Sequence, residues 1–149
     1  MRLTSSAFNE GGSIPARYTC QGDNLNPPLT ISDIPSGAAS LILVVFDPDS
    51  PGEPFIHWTM WNIPPTTTKI TEGQVPVDVA EGVTSTGKPG YYGPCPGRGE
   101  HRYIFKLIAL DTELELPTTA DDHQLQAAAK GHVLATVDLM GRYQKSTEA

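Results

Sequence analysis

Long hydrophobic runs are missing from this sequence. The longest purely apolar stretch is LILVVF at 41–46, far short of the ~20 residues that cross a bilayer as a helix. The opening MRLTSSAFNEGG carries one Arg but no apolar core, so neither a signal peptide nor a membrane span is expected, and the chain reads as cytoplasmic. Positive charge is also sparse: ten Lys and Arg stand against seventeen Asp and Glu, a net charge of −7, with the cations scattered singly from Arg2 to Lys145. No basic stripe exists to neutralise a phosphate backbone, which excludes nucleic acid as a partner. The same acidity opposes loose adhesion to an anionic membrane, and no Lys/Arg-rich amphipathic helix is present to lie in one. A lipid would have to be held by its head group, in a pocket.

Cysteine is limited to Cys20 and Cys95. Thiols of a cytoplasmic chain are ordinarily reduced, so both are expected to be reduced, as neighbouring buried thiols; a bridge would need a hyperthermophilic or redox setting. There is no HExxH and no CxxC. Internal repeats, low-complexity tracts and charge blocks are absent as well, and the Pro/Gly clusters recur at short intervals instead of marking one linker, so the 149 residues are expected to form one domain.

Glycine and proline are what the sequence has in quantity, fourteen of each, while only 18% of residues are charged. That balance suits many short strands joined by turns. Strand candidates are 14–20, 29–34, 40–46, 55–63, 102–110 and 132–140, each bounded by turn residues. The pattern predicts an all-β sandwich. SLILVVF is apolar on both faces and is therefore placed in the middle of a sheet, covered on both sides. In FIHWTMWNI strict alternation groups His57, Thr59 and Trp61 on one face, and in HRYIFKLIAL it groups His101, Tyr103, Phe105 and Leu107. One helix is legible at about 119–130, with Thr118 or Thr119 as N-cap, Asp121 and Asp122 in the first turn and Gly131 as the stop.

Two segments concentrate polar, titratable and turn-forming residues at the ends of apolar strands. In DPDSPGEPFIHW, 47–58, two prolines flank Asp49-Ser50 and forbid continuation of the ladder, which holds Asp47 and Asp49 at the sheet rim. In GKPGYYGPCPGRGEHRY, 87–103, glycines at 90, 93, 97 and 99 would let amide N–H groups converge on one point as an anion-binding nest. His101 and Tyr103 follow on one face and would add further donors. Each element has a plainer reading too: the aspartates as turn formers bonded to their own backbone, His57 and His101 as satisfied core histidines, and Trp58 and Trp61 as core and pocket wall. His123 and His132 lack comparable context and are read as surface or structural.

Taken together, DPDSP followed by HW, then GYYGPCPGRGEHRYIFKLIALD, with YTCQGDNLNPPL at 18–29 and LMGRY at 139–143, resemble the signature blocks of the phosphatidylethanolamine-binding (Raf kinase inhibitor protein) family, in the shorter form found in bacteria and archaea. The resemblance covers nearly the whole chain. It implies a Greek-key β-sandwich of two sheets with one or two short helices, and a small cavity for phosphate, sulfate, acetate or a phosphoryl head group. Carried over by motif, Asp47, Asp49, His57, Gly93, Pro94, His101 and Tyr103 should line that cavity, with Asp47 either orienting and charging His57 or accepting a proton from a protonated phosphate or a head-group amine. Neither a cofactor nor a metal is expected, the role is binding and not catalysis, and a kinase or protease is the implied protein partner, with a homodimer an open alternative. The family also implies a cis peptide near the first block, for which Ser50-Pro51 is the candidate. About six residues follow GRY where mammalian members continue into a helix beside the pocket, and Gly97 replaces a second proline after GPCP, so a more open cavity and a less stiff loop are expected.

Rival readings stand beside this one. Two Asp and two His are a plausible ligand set for zinc or manganese. Cys95 beside His101 could act as a nucleophile, and the Asp/His cluster could serve a hydrolase. Alternatively, loops 64–75 and 82–92 could contact a kinase or protease directly, leaving the pocket secondary.

Overall fold

The computed structural model describes residues 1–146. Eight strands form two antiparallel sheets. The small one has the order β1-β2-β5, built from Arg2–Thr4, Leu29–Ser32 and Lys69–Ile70. The large one has the order β6-β4-β3-β7-β8, built from Ala80–Glu81, Phe55–Ile63, Ser40–Asp47, Glu100–Leu110 and Val133–Gln144. This is the all-β sandwich that the turn spacing predicts.

Strand β3 lies between β4 and β7, and its composition explains why. Leu41, Leu43 and Val45 face the small sheet, packing with Leu3, Leu29, Ile31 and Ile70. Ile42 and Val44 face the other way, into a second cluster with Ile108, Leu110, Leu125 and Ala129. A strand with two dry faces must be apolar at every position, and each such side chain fully buried contributes about 1.5–3 kcal/mol.

The covering on the outer face is the helix α1, Asp122–Ala129. It starts two to three residues later than the threonines suggest. Asp121 is the N-cap, accepting from the Gln124 N–H at 3.0 Å, while Gln124 reaches back to the Asp121 N–H at 3.0 Å. This reciprocal capping box satisfies two otherwise unpaired backbone donors at once. Gly131, at φ +86°, ends the helix in the left-handed region.

The first strand candidate, 14–20, is not a strand. Ala16–Tyr18 is a 3₁₀ turn, because Pro15 has no N–H for a ladder and the Thr19 hydroxyl bonds back to the Ala16 carbonyl at 2.8 Å. Strand β8, conversely, continues four residues beyond the predicted end, through Gly141. A Cβ at 141 would come within 2.5 Å of the Ile14 side chain, so a glycine is required where that segment crosses the strand.

Alternation fails along β4 because the strand carries two register shifts against β3. Val45 pairs with Trp58 and Phe46 with Ile56, which leaves His57 as the extra residue of a bulge. A bulge puts two consecutive side chains on nearly the same side of a sheet. His57 therefore sits with the inner face, its ring edge-on to Tyr103 at 5.3 Å, while Trp61 packs into the outer cluster. The expected grouping of His57 with Trp61 is corrected by this one inserted residue.

Candidate functional site

A cavity of about 190 Å³ opens where β3 ends, β4 begins and β7 begins. Asp47, His57, His101 and Tyr103 line it, together with Ser50, Pro51, Phe55, Tyr92, Cys95, Pro96 and Gly97. The rim after the central strand and the glycine-proline loop do meet there. A cleft of larger volume, about 420 Å³, lies elsewhere between Glu53, Val83 and Asp121–His123. Its rim includes Glu53 and His123, whose side chains are 85% and 81% exposed, and its buried polar group, Thr84, already bonds the Lys88 carbonyl.

Asp47 is 4% exposed and held by both oxygens: Oδ1 accepts the Asp49 N–H at 2.7 Å and Oδ2 accepts from His101 Nδ1 at 2.6 Å. The carboxylate orients His101, not His57 as expected. His57 is oriented instead by the backbone, donating from Nδ1 to the Tyr92 carbonyl at 2.5 Å, and is flanked by the Phe55 ring at 4.7 Å and the Tyr92 ring at 6.0 Å. Burial pushes the His57 pKa down, outweighing the carbonyls and the Asp47 charge that favour its protonation. The buried ring is therefore neutral near pH 7, with Nδ1–H fixed and Nε2 left for a ligand.

That shift has a consequence for stability. A base whose pKa is lower in the folded state binds protons more readily when unfolded. Its stabilising contribution is complete above the unfolded pKa of ~6.5 and is lost as pH falls below it. Denaturant midpoints of the wild type should drop between pH 7.5 and 5 by more than those of His57→Gln. Parallel curves for the two proteins would contradict a buried neutral imidazole.

Tyr103 is wholly buried, and its hydroxyl makes no hydrogen bond with the described residues. Burial, then the nearby Asp47 charge, raises its pKa, so the phenol stays protonated; the Cys95 amide and the Asp47 carboxylate lie close to the hydroxyl without meeting full hydrogen-bond geometry. A buried donor is thus left without an acceptor on a residue that lines the cavity.

Three of the expected residues lie behind the wall. Asp49 accepts from the Arg102 backbone N–H at 2.9 Å and from Arg102 Nε and Nη2 at 3.0 and 2.8 Å. These bonds hold its carboxyl at about 2, well below the usual range. It fastens the rim loop to β7 and does not line the cavity. The Gly93 N–H donates to Asn24 Oδ1 at 2.8 Å, so this amide is engaged by the protein and not by an anion nest. A Cβ there would fall 2.2 Å from the Tyr18 carbonyl oxygen, which makes position 93 a packing glycine. The Pro94 carbonyl accepts the Cys20 N–H at 3.1 Å.

Cys20 and Cys95 are not free thiols: they form a disulfide, with Cα atoms 5.5 Å apart across 75 residues of sequence. Chain topology packs 18–24 against 91–97, so the two cysteines are neighbours as expected, but bonded and not reduced. Disulfides persist in oxidising settings, which pulls against the cytoplasmic expectation. The Ser50-Pro51 peptide is trans, as are all described peptide bonds. His132 pairs with Asp111 at 2.8 Å on the surface, and His123 is exposed, both away from the cavity. Among the described residues no three His, Cys, Asp or Glu side chains are grouped to hold a metal ion. Gly97 of the expected glycine set does line the cavity, and Ser50, Pro51, Phe55, Tyr92, Cys95 and Pro96 join the motif residues there; all lie inside the two motif segments, the one signal in the sequence that marks them.

Residues 4–144 match the family model described as phosphatidylethanolamine-binding protein. The chain belongs to that family. A UPF0098 protein of Methanothermobacter thermautotrophicus is 43% identical over 150 residues, covering 97% of this chain and 99% of the relative. A UPF0098 protein of Chlamydia pneumoniae is also 43% identical, covering 98% and 100%. Among solved structures, a phosphatidylethanolamine-binding protein homolog, CT736 of Chlamydia trachomatis, superposes with a TM-score of 0.93 at 41% identity, covering 97% of each chain. YbcL of E. coli, described as a member of the mammalian family, reaches 0.91 at 27% identity, covering 97% and 98%. The backbone thus persists through extensive sequence change, as expected when two-sided burial and turn placement set it. Membership makes this a ligand-binding protein of the phosphatidylethanolamine-binding family. No helix among the described residues is long and apolar enough to cross a membrane.

Proposed function

We propose that the cavity captures a small anion, whether phosphate, a phosphoryl head group or a carboxylate, by hydrogen bonding and without covalent chemistry. A kinase or protease presenting such a group would be regulated by being bound. The supporting observation is the buried Tyr103 hydroxyl, a donor without a partner in a cavity shared with two oriented imidazoles. Leaving such a donor unpaired costs about 1–3 kcal/mol, which an anionic acceptor would recover. Thr59, the other buried hydroxyl without a partner among the described residues, does not line this cavity.

A hydrolase built on the same residues has less support. Cys95, the nucleophile the sequence offers, is tied up in the disulfide. Titrating inorganic phosphate while following the imidazole resonances should give saturable shifts at His57 and His101 and none at His123 or His132. His101→Ala should abolish them. Turnover of generic esters or phosphomonoesters that disappears in His101→Ala would overturn the binding role.

A further inference from the structure

Resting on that anion-binding reading, we infer that the cavity selects an anion still carrying a proton, a singly ionised phosphate monoester, over a proton-free anion of similar shape and charge such as a sulfate monoester.

The inference comes from matching donors to acceptors. The Tyr92 carbonyl has no proton to give, so His57 Nδ1 carries one, and Nε2 of the neutral ring presents a lone pair. Asp47 is an acceptor at both oxygens, each with capacity beyond its present bond. His101 Nδ1 is matched to Asp47 Oδ2, so its Nε2 is likewise an acceptor whenever the ring is neutral. Against these stands the Tyr103 hydroxyl, the one lining side chain with a buried donor left over.

No other charge redresses the balance. On β7, Arg102 is matched to Asp49 outside the cavity. From the loop, the Tyr92 phenol and from the rim the Ser50 hydroxyl can donate to either kind of anion alike, Cys95 is in the disulfide, and Arg98 is exposed without lining the wall. The burial that keeps His57 neutral favours the same state. A proton-free anion would set oxygen lone pairs against nitrogen and carboxylate lone pairs, unless His101 took a proton from solvent. A phosphate monoester, whose second pKa is ~6, brings that proton with it.

Methyl phosphate and methyl sulfate are near-isosteric, and both are largely monoanions at pH 5.5, where any proton on His101 serves both alike and leaves His57 Nε2 and Asp47 as the acceptors that tell them apart. They differ by one P–OH. Calorimetric titration of the intact protein should give methyl phosphate the tighter binding by roughly tenfold to a hundredfold, the value of one good buried hydrogen bond against an unsatisfied one. Its affinity should then fall roughly tenfold per pH unit above ~7, as the monoanion is depleted. Dimethyl phosphate, a diester like a membrane-lipid head group, has no P–OH and should behave as methyl sulfate does. Equal affinity for all three, or tighter binding of methyl sulfate, overturns the selectivity and leaves anion binding standing. Binding of none overturns the anion reading and the selectivity together. In Asp47→Asn the preference should narrow by admitting methyl sulfate; an unchanged ratio would remove Asp47 from the argument and overturn this assignment of the acceptors.

Discussion

Tyr103→Phe is expected to weaken phosphate binding roughly tenfold or more while leaving the urea midpoint unchanged or slightly raised. These two effects rarely go together at a fully buried position. Removing a buried hydroxyl normally costs stability because a protein partner is orphaned; here the described residues supply none, so deletion relieves an unsatisfied group. The ring itself stays, keeping its contacts with His57 at 5.3 Å and His101 at 6.4 Å. Binding loses the donor that remains for the ligand. Titration with inorganic phosphate and a urea melt on the same sample check both halves. Undiminished binding combined with a clear loss of stability would mean that the hydroxyl serves the fold and not the ligand.

The double substitution Cys20→Ala with Cys95→Ala should lower unfolding free energy by up to about 4.5 kcal/mol, the chain-entropy value for a closure of this span. Stability and binding should respond differently. The loop that carries Cys95 is also held by the Tyr91 hydroxyl on the Tyr18 carbonyl at 2.7 Å, the Gly93 N–H on Asn24, and the Cys20 N–H on the Pro94 carbonyl. The cavity wall should therefore persist in the folded double variant, with phosphate affinity within a few-fold of wild type. Denaturant unfolding measures the first quantity and titration the second. A midpoint equal to that of the wild type, or both thiols alkylated in the untreated native protein, would show that the bond contributes nothing.

Much of this protein is legible along the chain. An unbroken apolar run at 41–46 can be stable in a sheet only when both faces are covered, and β3 is central with a core on each side. The prolines of DPDSP end that strand, so a rim carrying Asp47 follows from covalent geometry. His101 and Tyr103 share a face because β7 runs without a register shift from Glu100 to Ala109. Where the ladder is regular, period-two reading works.

What tertiary structure decided is everything that depends on a neighbouring segment. The bulge at His57 turns that ring toward Tyr103, and it arises from pairing with β3 and not from any residue within FIHW. Asp47 meets His101 across 54 residues and Cys20 meets Cys95 across 75, distances at which local propensity carries no information. Gly93, read as an anion cradle, is a glycine because the 18–24 segment leaves no room for a side chain. Sequence thus determined which residues stand at strand ends and which faces are apolar, since these follow from backbone covalency and hydrophobic burial. Packing alone determined which polar atoms are already satisfied and which remain for a ligand, because a hydrogen bond is a property of two groups in space.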